Sequence, residues 1–455
     1  MNAGMALEGA SIMTDAPQDP TTGSLDSSHS LAPAAVTEPA PEQVHTGASF
    51  VKRTPVVMGL VAALAVGALV GGVSGAGVTL WATSSNTSGT AVVGTANPTT
   101  ITVNDTTSAT QVTAVAARSM PSVVTIGVLS ANAGGTGSGV VLSKDGFILT
   151  NTHVVTLDGQ ISNPKITVTT SDGRLFTATI VGTDPISDLA VIKVDGVTDL
   201  QPATFADSSN LNVGDTAIAI GAPLGLAGTV TDGIVSALNR SITIASSAVP
   251  PDTSTQDTTP NQGSDPFFNF DMPGQNTQGA ASSATISLSV IQTDAAINPG
   301  NSGGALLDSD GNVIGINVAI ASASSTSSGS QSGSIGVGFA IPSNLAQRIA
   351  QEIRQTGTAT HGLLGASVTD VTEDTNQKNP TVVGASIVEL TSGGAADQAG
   401  LKVGDIVTKF NGLPVTGKTD LTAQVRAVAA GSKATVTYVR DGSAGQVDVT
   451  LGELK

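Results

Sequence analysis

The chain has 455 residues, room for about three domains, and its 40% hydrophobic content is enough for at least one sizeable core. It contains no cysteine, which excludes disulfides, thiolate nucleophiles and Cys-based zinc or iron–sulfur sites and leaves the redox compartment unread. Its 35 acidic and 18 basic residues give a net charge of −17 with no basic face, which argues against nucleic-acid binding, and only 2% aromatic residues beside 53 glycines leave long stretches outside any core.

Residues 1–54 hold scattered acids, Pro, Ser and Thr with no apolar period, and read as a disordered tail. Lys52 and Arg53 then precede Pro55–Leu80, 26 residues without a charge, long enough to cross a bilayer. A cleaved signal peptide would carry its basic region near the start, and a helix packed on the surface of a soluble domain would keep a polar face, so the reading is an uncleaved transmembrane anchor. The next basic residue is Arg118, so the positive-inside rule puts 1–54 in the cytoplasm and 82–455 outside, with Trp81 at the interface. Residues 81–110 are a Ser/Thr/Asn/Gly-rich flexible linker.

From Val112 the texture changes to short β-type runs at 138–143, 147–150, 166–170, 175–181, 189–194, 216–220 and 313–318, with Asp-Gly turns at 145–146, 172–173 and 310–311. This pattern predicts an antiparallel barrel or sandwich. Leu345, Ile349 and Ile353 after Pro342 predict a helix ending at Gly357. From His361 onward strands frame one further helix, with Leu421, Val425 and Val428 as its apolar stripe, Thr419 as its cap and Gly431 as its stop.

Of four histidines, His29 and His45 lie in the tail and His361 at a domain junction. Only His153 stands inside the β-rich region, directly after a strand, which makes it the natural acid–base group. Gly300-Asn301-Ser302-Gly303-Gly304 places a serine on a glycine-lined turn whose bare N–H groups can point at one spot. Asp188, just before the apolar strand 189–194, is a carboxylate that could orient His153. The order His153, Asp188, Ser302 is that of chymotrypsin-type enzymes.

The stretches around these residues, Thr150–Val155, Ser187–Lys193 and Ile291–Ala305, together with Gly336–Pro342, closely resemble the HtrA/Deg serine endopeptidases over about residues 110–455. The resemblance implies a mainly β chain: a chymotrypsin-like double β-barrel over 111–357 and a PDZ domain over 358–455, with Ser302 as nucleophile, His153 as general base and then acid, and Asp188 as orienting carboxylate. It further implies an oxyanion hole from the N–H groups of Gly300 and Ser302, and a specificity pocket at Ile297, Ala319 and Ile320 that favours an aliphatic residue before the cleaved bond. Leu363, Leu364, Gly365 and Ala366 fall where PDZ domains bind a peptide's C-terminal carboxylate, although family members usually have a larger apolar residue at the position of Ala366. The stretch between Arg240 and Ile286 is longer than is usual in the family. It is expected to be a disordered insertion at about 241–285, with an apolar island at Phe267, Phe268 and Phe270.

The expected function is therefore a membrane-anchored serine endopeptidase of the cell envelope that cleaves misfolded or regulatory proteins. Its other expected partners are C-terminal peptides at the PDZ domain and further copies of itself in a trimer-based assembly. No metal or cofactor is expected. The competing reading is a proteolytically weak PDZ-bearing chaperone or scaffold; it would be free to lose any one member of the triad, and all three are present.

Overall fold

The computed structural model describes residues 110–130, 133–159, 164–222, 228–245, 285–319, 336–377 and 381–454. The expected anchor at 55–80, the tail before it, Ile320, and Phe267, Phe268 and Phe270 lie outside the described residues. Among the described residues no helix is long and apolar enough to cross a membrane.

Two closed antiparallel barrels follow one another. The first contains β1 (Val123–Leu129), β2 (Gly134–Val141), β3 (Phe147–Thr150), β4 (Lys165–Thr169), β5 (Leu175–Asp184) and β6 (Leu189–Val194), in the order β1-β2-β3-β6-β5-β4. The second contains β7 (Thr216–Gly221), β8 (Thr229–Ala245), β9 (Thr285–Thr293), β10 (Ala305–Leu307), β11 (Val313–Val318) and β12 (Gly338–Pro342), in the order β10-β11-β12-β9-β8-β7. Ile126, Val128, Ile148, Val168 and Ile192 fill the first interior and Val235, Ile291, Leu306, Ile314 and Ala340 the second. A fully buried side chain of this size contributes about 1.5–3 kcal/mol, and closure leaves no sheet edge to protect. The Asp-Gly pairs at 145–146, 172–173 and 310–311 sit in β-hairpin connections, β2 to β3, β4 to β5 and β10 to β11.

The chain enters the first barrel through α1 (Gln111–Ser119), a helix in a region read from sequence as β. Thr110 caps it by accepting the Thr113 N–H, and Val115, Ala116 and Ser119 are its buried face; a single buried face on nine residues is too short a pattern to separate from strand signals. The expected insertion at about 241–285 is flanked by a paired ladder. β8 runs on to Ala245 and β9 starts at Thr285, paired from Arg240 opposite Val290 to Ala245 opposite Thr285. Polar composition hid this ladder, because its strands alternate Ser and Thr with buried Ile242, Ile244, Ile286 and Leu288.

The short helix α2 (Thr152–Thr156) follows β3, and α3 (Ser343–Thr356) closes the second barrel. Ile349 and Ile353 of α3 are fully buried, and Gly357 ends the helix at φ 84°, as the Pro342 and Gly357 signals require. The C-terminal unit has β13 (Gly362–Leu363) paired with β20 (Gly452–Glu453). Its sheet has the order β14-β15-β16-β18-β19, built from β14 (Ala366–Asp370), β15 (Ala385–Leu390), β16 (Ile406–Phe410), β18 (Lys433–Arg440) and β19 (Ser443–Thr450), and β17 (Leu413–Pro414) pairs with β16. The helices α4 (Ala395–Gln398) and α5 (Lys418–Arg426) complete it. Leu421 and Val425 of α5 are buried as expected, but Thr419 lies inside the helix rather than capping it. Gly417 is the N-cap and Asp420 takes the Thr416 N–H at 2.9 Å, while Ala427, not Gly431, follows the last turn.

Candidate active site

His153 stands on α2 immediately after β3, and Asp188 ends the tight segment between β5 and β6. The strand pairing Thr150 opposite Ala190 brings these two segments side by side. Asp188 is buried and adopts φ 52°, a left-handed conformation uncommon for a residue with a Cβ. Its carbonyl holds it there, accepting the Asn151 side-chain amide at 2.8 Å and the Thr152 N–H at 3.3 Å, while the Thr152 hydroxyl donates to the Leu189 carbonyl at 2.6 Å. Such strain persists only where the surroundings over-determine it.

Both carboxylate oxygens of Asp188 face His153. Oδ1 accepts the His153 backbone N–H at 3.0 Å, and Oδ2 lies 2.7 Å from Nδ1. A carboxylate only accepts, so Nδ1 carries the proton and Nε2 is left as the basic nitrogen. Burial disfavours the imidazolium, but the charge and hydrogen bond of Asp188 outweigh it and raise the pKa above its usual value. His153 is thus a base whose protonated form is stabilised.

Ser302 lies in the turn before β10 of the second barrel, and its hydroxyl accepts the Ala319 N–H at 3.0 Å, which leaves its own proton available to a base. Gly300 has φ 99° and Gly303 φ 81°. A Cβ on Gly303 would overlap the Ser138 carbonyl and the Thr150 hydroxyl, so this glycine is required by close approach as well as by conformation. Asn301 N–H donates to the Asn298 carbonyl, Gly303 N–H to that of Asn317 and Gly304 N–H to that of Asn301, whereas no acceptor among the described residues takes the N–H of Gly300 or Ser302. Two unclaimed donors beside a serine oxygen are what an oxyanion-stabilising turn needs.

A trypsin-like peptidase domain model matches residues 137–316 and a PDZ domain model residues 362–451. A solved HtrA-type protease, AlgW with a tripeptide, is 32% identical, with a TM-score of 0.52, over 75% of this chain and 97% of that one. The chain belongs to the HtrA family of serine proteases. It is also 42% identical over 323 residues to the serine protease PepD of Mycobacterium tuberculosis, covering 70% of this chain and 61% of the relative. To the periplasmic pH-dependent serine endoprotease DegQ of Escherichia coli it is 36% identical over 320 residues, covering 70% of this chain and 59% of that protein. The chain thus spans about three fifths of the length of these curated relatives.

Among the remaining HtrA-type positions, Ile297 and Ala319 are both buried members of the second barrel's core cluster. In the PDZ segment, Leu363 is exposed on β13 and Ala366 opens β14. The Leu364 carbonyl accepts from Ala396, so peptide planarity turns the Gly365 N–H away from Ala396, and the Gly365 carbonyl accepts from Thr391. His361 is buried where the protease segment meets the PDZ segment, with Nε2 2.9 Å from Asp184 Oδ1 and Nδ1 2.8 Å from the Arg426 carbonyl.

Sequence reasoning did not single out Asn151, Thr152 or Asp158. The first two lie within the motif that carried the resemblance, but nothing local marks Asp158. Its Oδ1 is buried without a hydrogen-bond partner among the described residues. Burial first, and the Asp188 charge after it, push its carboxyl up to about 6 against the pull of His153. The folded state therefore holds a proton that the unfolded chain releases near 3.8, and stability contributed by this group falls as pH rises from about 4 to about 6. Allowing for its partial exposure, the cost above pH 6 is of order 2 kcal/mol. Asp158→Asn should gain in melting temperature relative to the parent between pH 4 and pH 7, and should move the acid limb of kcat/KM to lower pH by removing a charge that favours the imidazolium. A melting-temperature difference that is the same at both pH values would contradict this account.

Proposed function

We propose that this chain is a membrane-anchored serine endopeptidase acting through an acyl-enzyme. The observation that carries the reading is the His153–Asp188 pair, joined at 2.7 Å and by a second bond at 3.0 Å, together with a glycine-lined serine turn that keeps two N–H donors unclaimed. In this reading Ser302 Oγ attacks the scissile carbonyl while His153 Nε2 takes its proton, and the N–H groups of Gly300 and Ser302 receive the oxyanion. His153 then protonates the leaving amine, and water, activated by the same nitrogen, hydrolyses the ester at Ser302. Asp188 holds the ring in its productive tautomer.

The uncharged Pro55–Leu80 span with Lys52 and Arg53 before it supports an anchor with the catalytic segment outside the cytoplasm. The substrates in this reading are misfolded or regulatory envelope proteins, and the PDZ domain, through Leu363, Leu364, Gly365 and Ala366, takes C-terminal peptides that recruit or activate; assembly is trimer-based. Hydrolysis of an unfolded casein-like substrate by the full chain, with Ser302→Ala as control, tests the reading, and hydrolysis that survives the substitution refutes it.

Ile297 and Ala319 are uncharged and buried, so a pocket built on them and Ile320 has no partner for a cation. Peptides with Val, Leu or Ala before the cleaved bond should be hydrolysed with kcat/KM about 100-fold above those with Arg or Lys. A library profile that ranks Arg first would exclude this pocket.

A further inference from the structure

Ser138, in the middle of β2, takes no part in the His153–Asp188 pair, yet it reaches from the first barrel into the Ser302 turn of the second. It is fully buried. Its Oγ lies 2.7 Å from the Gly300 carbonyl and 2.9 Å from the Ala222 N–H. A backbone N–H can only donate, so the hydroxyl accepts from Ala222 and its single proton is directed at Gly300. Its own N–H donates to the Ser302 carbonyl at 2.8 Å, and its carbonyl accepts the Thr150 hydroxyl at 2.7 Å. Ser138 thus engages the carbonyls of the two residues whose N–H groups are unclaimed.

Peptide units are rigid planes, so holding a carbonyl also fixes the N–H across the same bond. The plane carrying the Ser302 N–H is held through the Asn301 carbonyl, which accepts from Gly304 at 2.9 Å. The Gly300–Asn301 plane is held at one edge by Asn301 N–H on the Asn298 carbonyl at 2.9 Å and at the other by the Ser138 hydroxyl. Gly300 flanks that plane at φ 99° and has no Cβ to limit its rotation. A Cβ on Gly221 would come within 3.0 Å of Ser138 Oγ, and one on Gly304 within 3.1 Å of its Cβ, so both glycines pack closely around this side chain.

We propose that Ser138 is a positioning residue for acyl transfer: its hydroxyl locks the Gly300–Asn301 peptide so that the Gly300 and Ser302 N–H groups converge on the developing oxyanion. The proposal rests on the protease reading above. Ser343 supplies a matched control, since it is equally buried and its hydroxyl donates over 2.7 Å to the Ala206 carbonyl in a segment that does not touch the turn.

In the full chain, Ser138→Ala should lower kcat by about tenfold to 100-fold with KM within about twofold, because an oxyanion gains more from aligned donors than a ground-state carbonyl does. Ser343→Ala should lose a similar melting temperature and keep kcat. Amide exchange at Asn301 should be about tenfold faster in Ser138→Ala than in Ser343→Ala, since local opening frees that N–H. Ser138→Cys, which keeps a weak donor, should lie between Ser138→Ala and the parent and carries the comparison if the alanine variant does not fold. The proposal is overturned by a kcat within about twofold of the parent in Ser138→Ala, by an equal kcat loss in Ser343→Ala, or by Asn301 exchange that does not differ between them. Hydrolysis that is missing in the parent or survives Ser302→Ala refutes the protease reading instead, and Asn301 exchange then still decides whether Ser138 holds the turn.

Discussion

Ser302→Ala and His153→Ala are each expected to lower kcat by about 10⁶-fold, and the double variant by no more than either single one, because nucleophile and base act as a unit. In the proposed acyl-enzyme mechanism the Ser302 hydroxyl forms the ester and His153 Nε2 takes its proton, so either substitution removes an essential part. The residual rate reflects substrate binding and the N–H groups of Gly300 and Ser302. Stability should fall only modestly for Ser302→Ala, by about 1–3 kcal/mol, since its Oγ accepts the buried Ala319 N–H, while the rest of the turn keeps its backbone bonds and the Ser138 hydroxyl. Single-turnover measurements on a chromogenic peptide ester read the loss directly. Losses in the two single variants that multiply in the double would show that the residues act independently and would remove the acyl-enzyme mechanism.

Asp188→Asn should leave about 10⁻⁴ of the parent kcat, a smaller loss with a different cause. An amide in that place can donate to Nδ1, which moves the ring proton to Nε2 and turns the base towards the wrong tautomer. The substitution is otherwise mild. Asparagine tolerates the left-handed backbone found at φ 52°, and the Asn151 and Thr152 bonds go to the carbonyl of residue 188, not to its side chain. The acid limb should also move to lower pH, because the carboxylate that raises the pKa of His153 is gone. A melting-temperature loss large enough to unfold the variant, or a pH profile that does not move, would show that Asp188 serves the fold and not the ring.

The candidate site was legible in part because two of its residues, His153 and Ser302, carry a local signature. With no cysteine and one histidine inside the β-rich region, His153 stood out as the natural acid–base candidate, and the glycines around Ser302 marked its turn. Alternating strands, Asp-Gly hairpins and the helix between Pro342 and Gly357 are likewise written in neighbouring residues, where period and turn chemistry act over a few positions. The uncharged 55–80 run is a matter of composition alone.

Other features had no such local record. Ser138 reads in sequence as one polar residue in a glycine-rich strand, and its partner Gly300 is 162 positions away. Asp188 reads as an ordinary turn residue, although its left-handed backbone and both its bonds to His153 depend on β3 lying against β6. Gly303 looks like a device for baring N–H groups, whereas its missing Cβ also makes room for β2 of the other barrel. Asp158 is unremarkable until burial deprives it of water, and His361 until Asp184 and the Arg426 carbonyl close on its two nitrogens. Sequence by itself determined which groups the chain has and which short elements carry them. Tertiary structure decided which groups meet, because barrel closure pairs residues far apart in the chain, and the hydrogen bonds and desolvation that tune a site depend on that pairing and leave no trace in local periodicity.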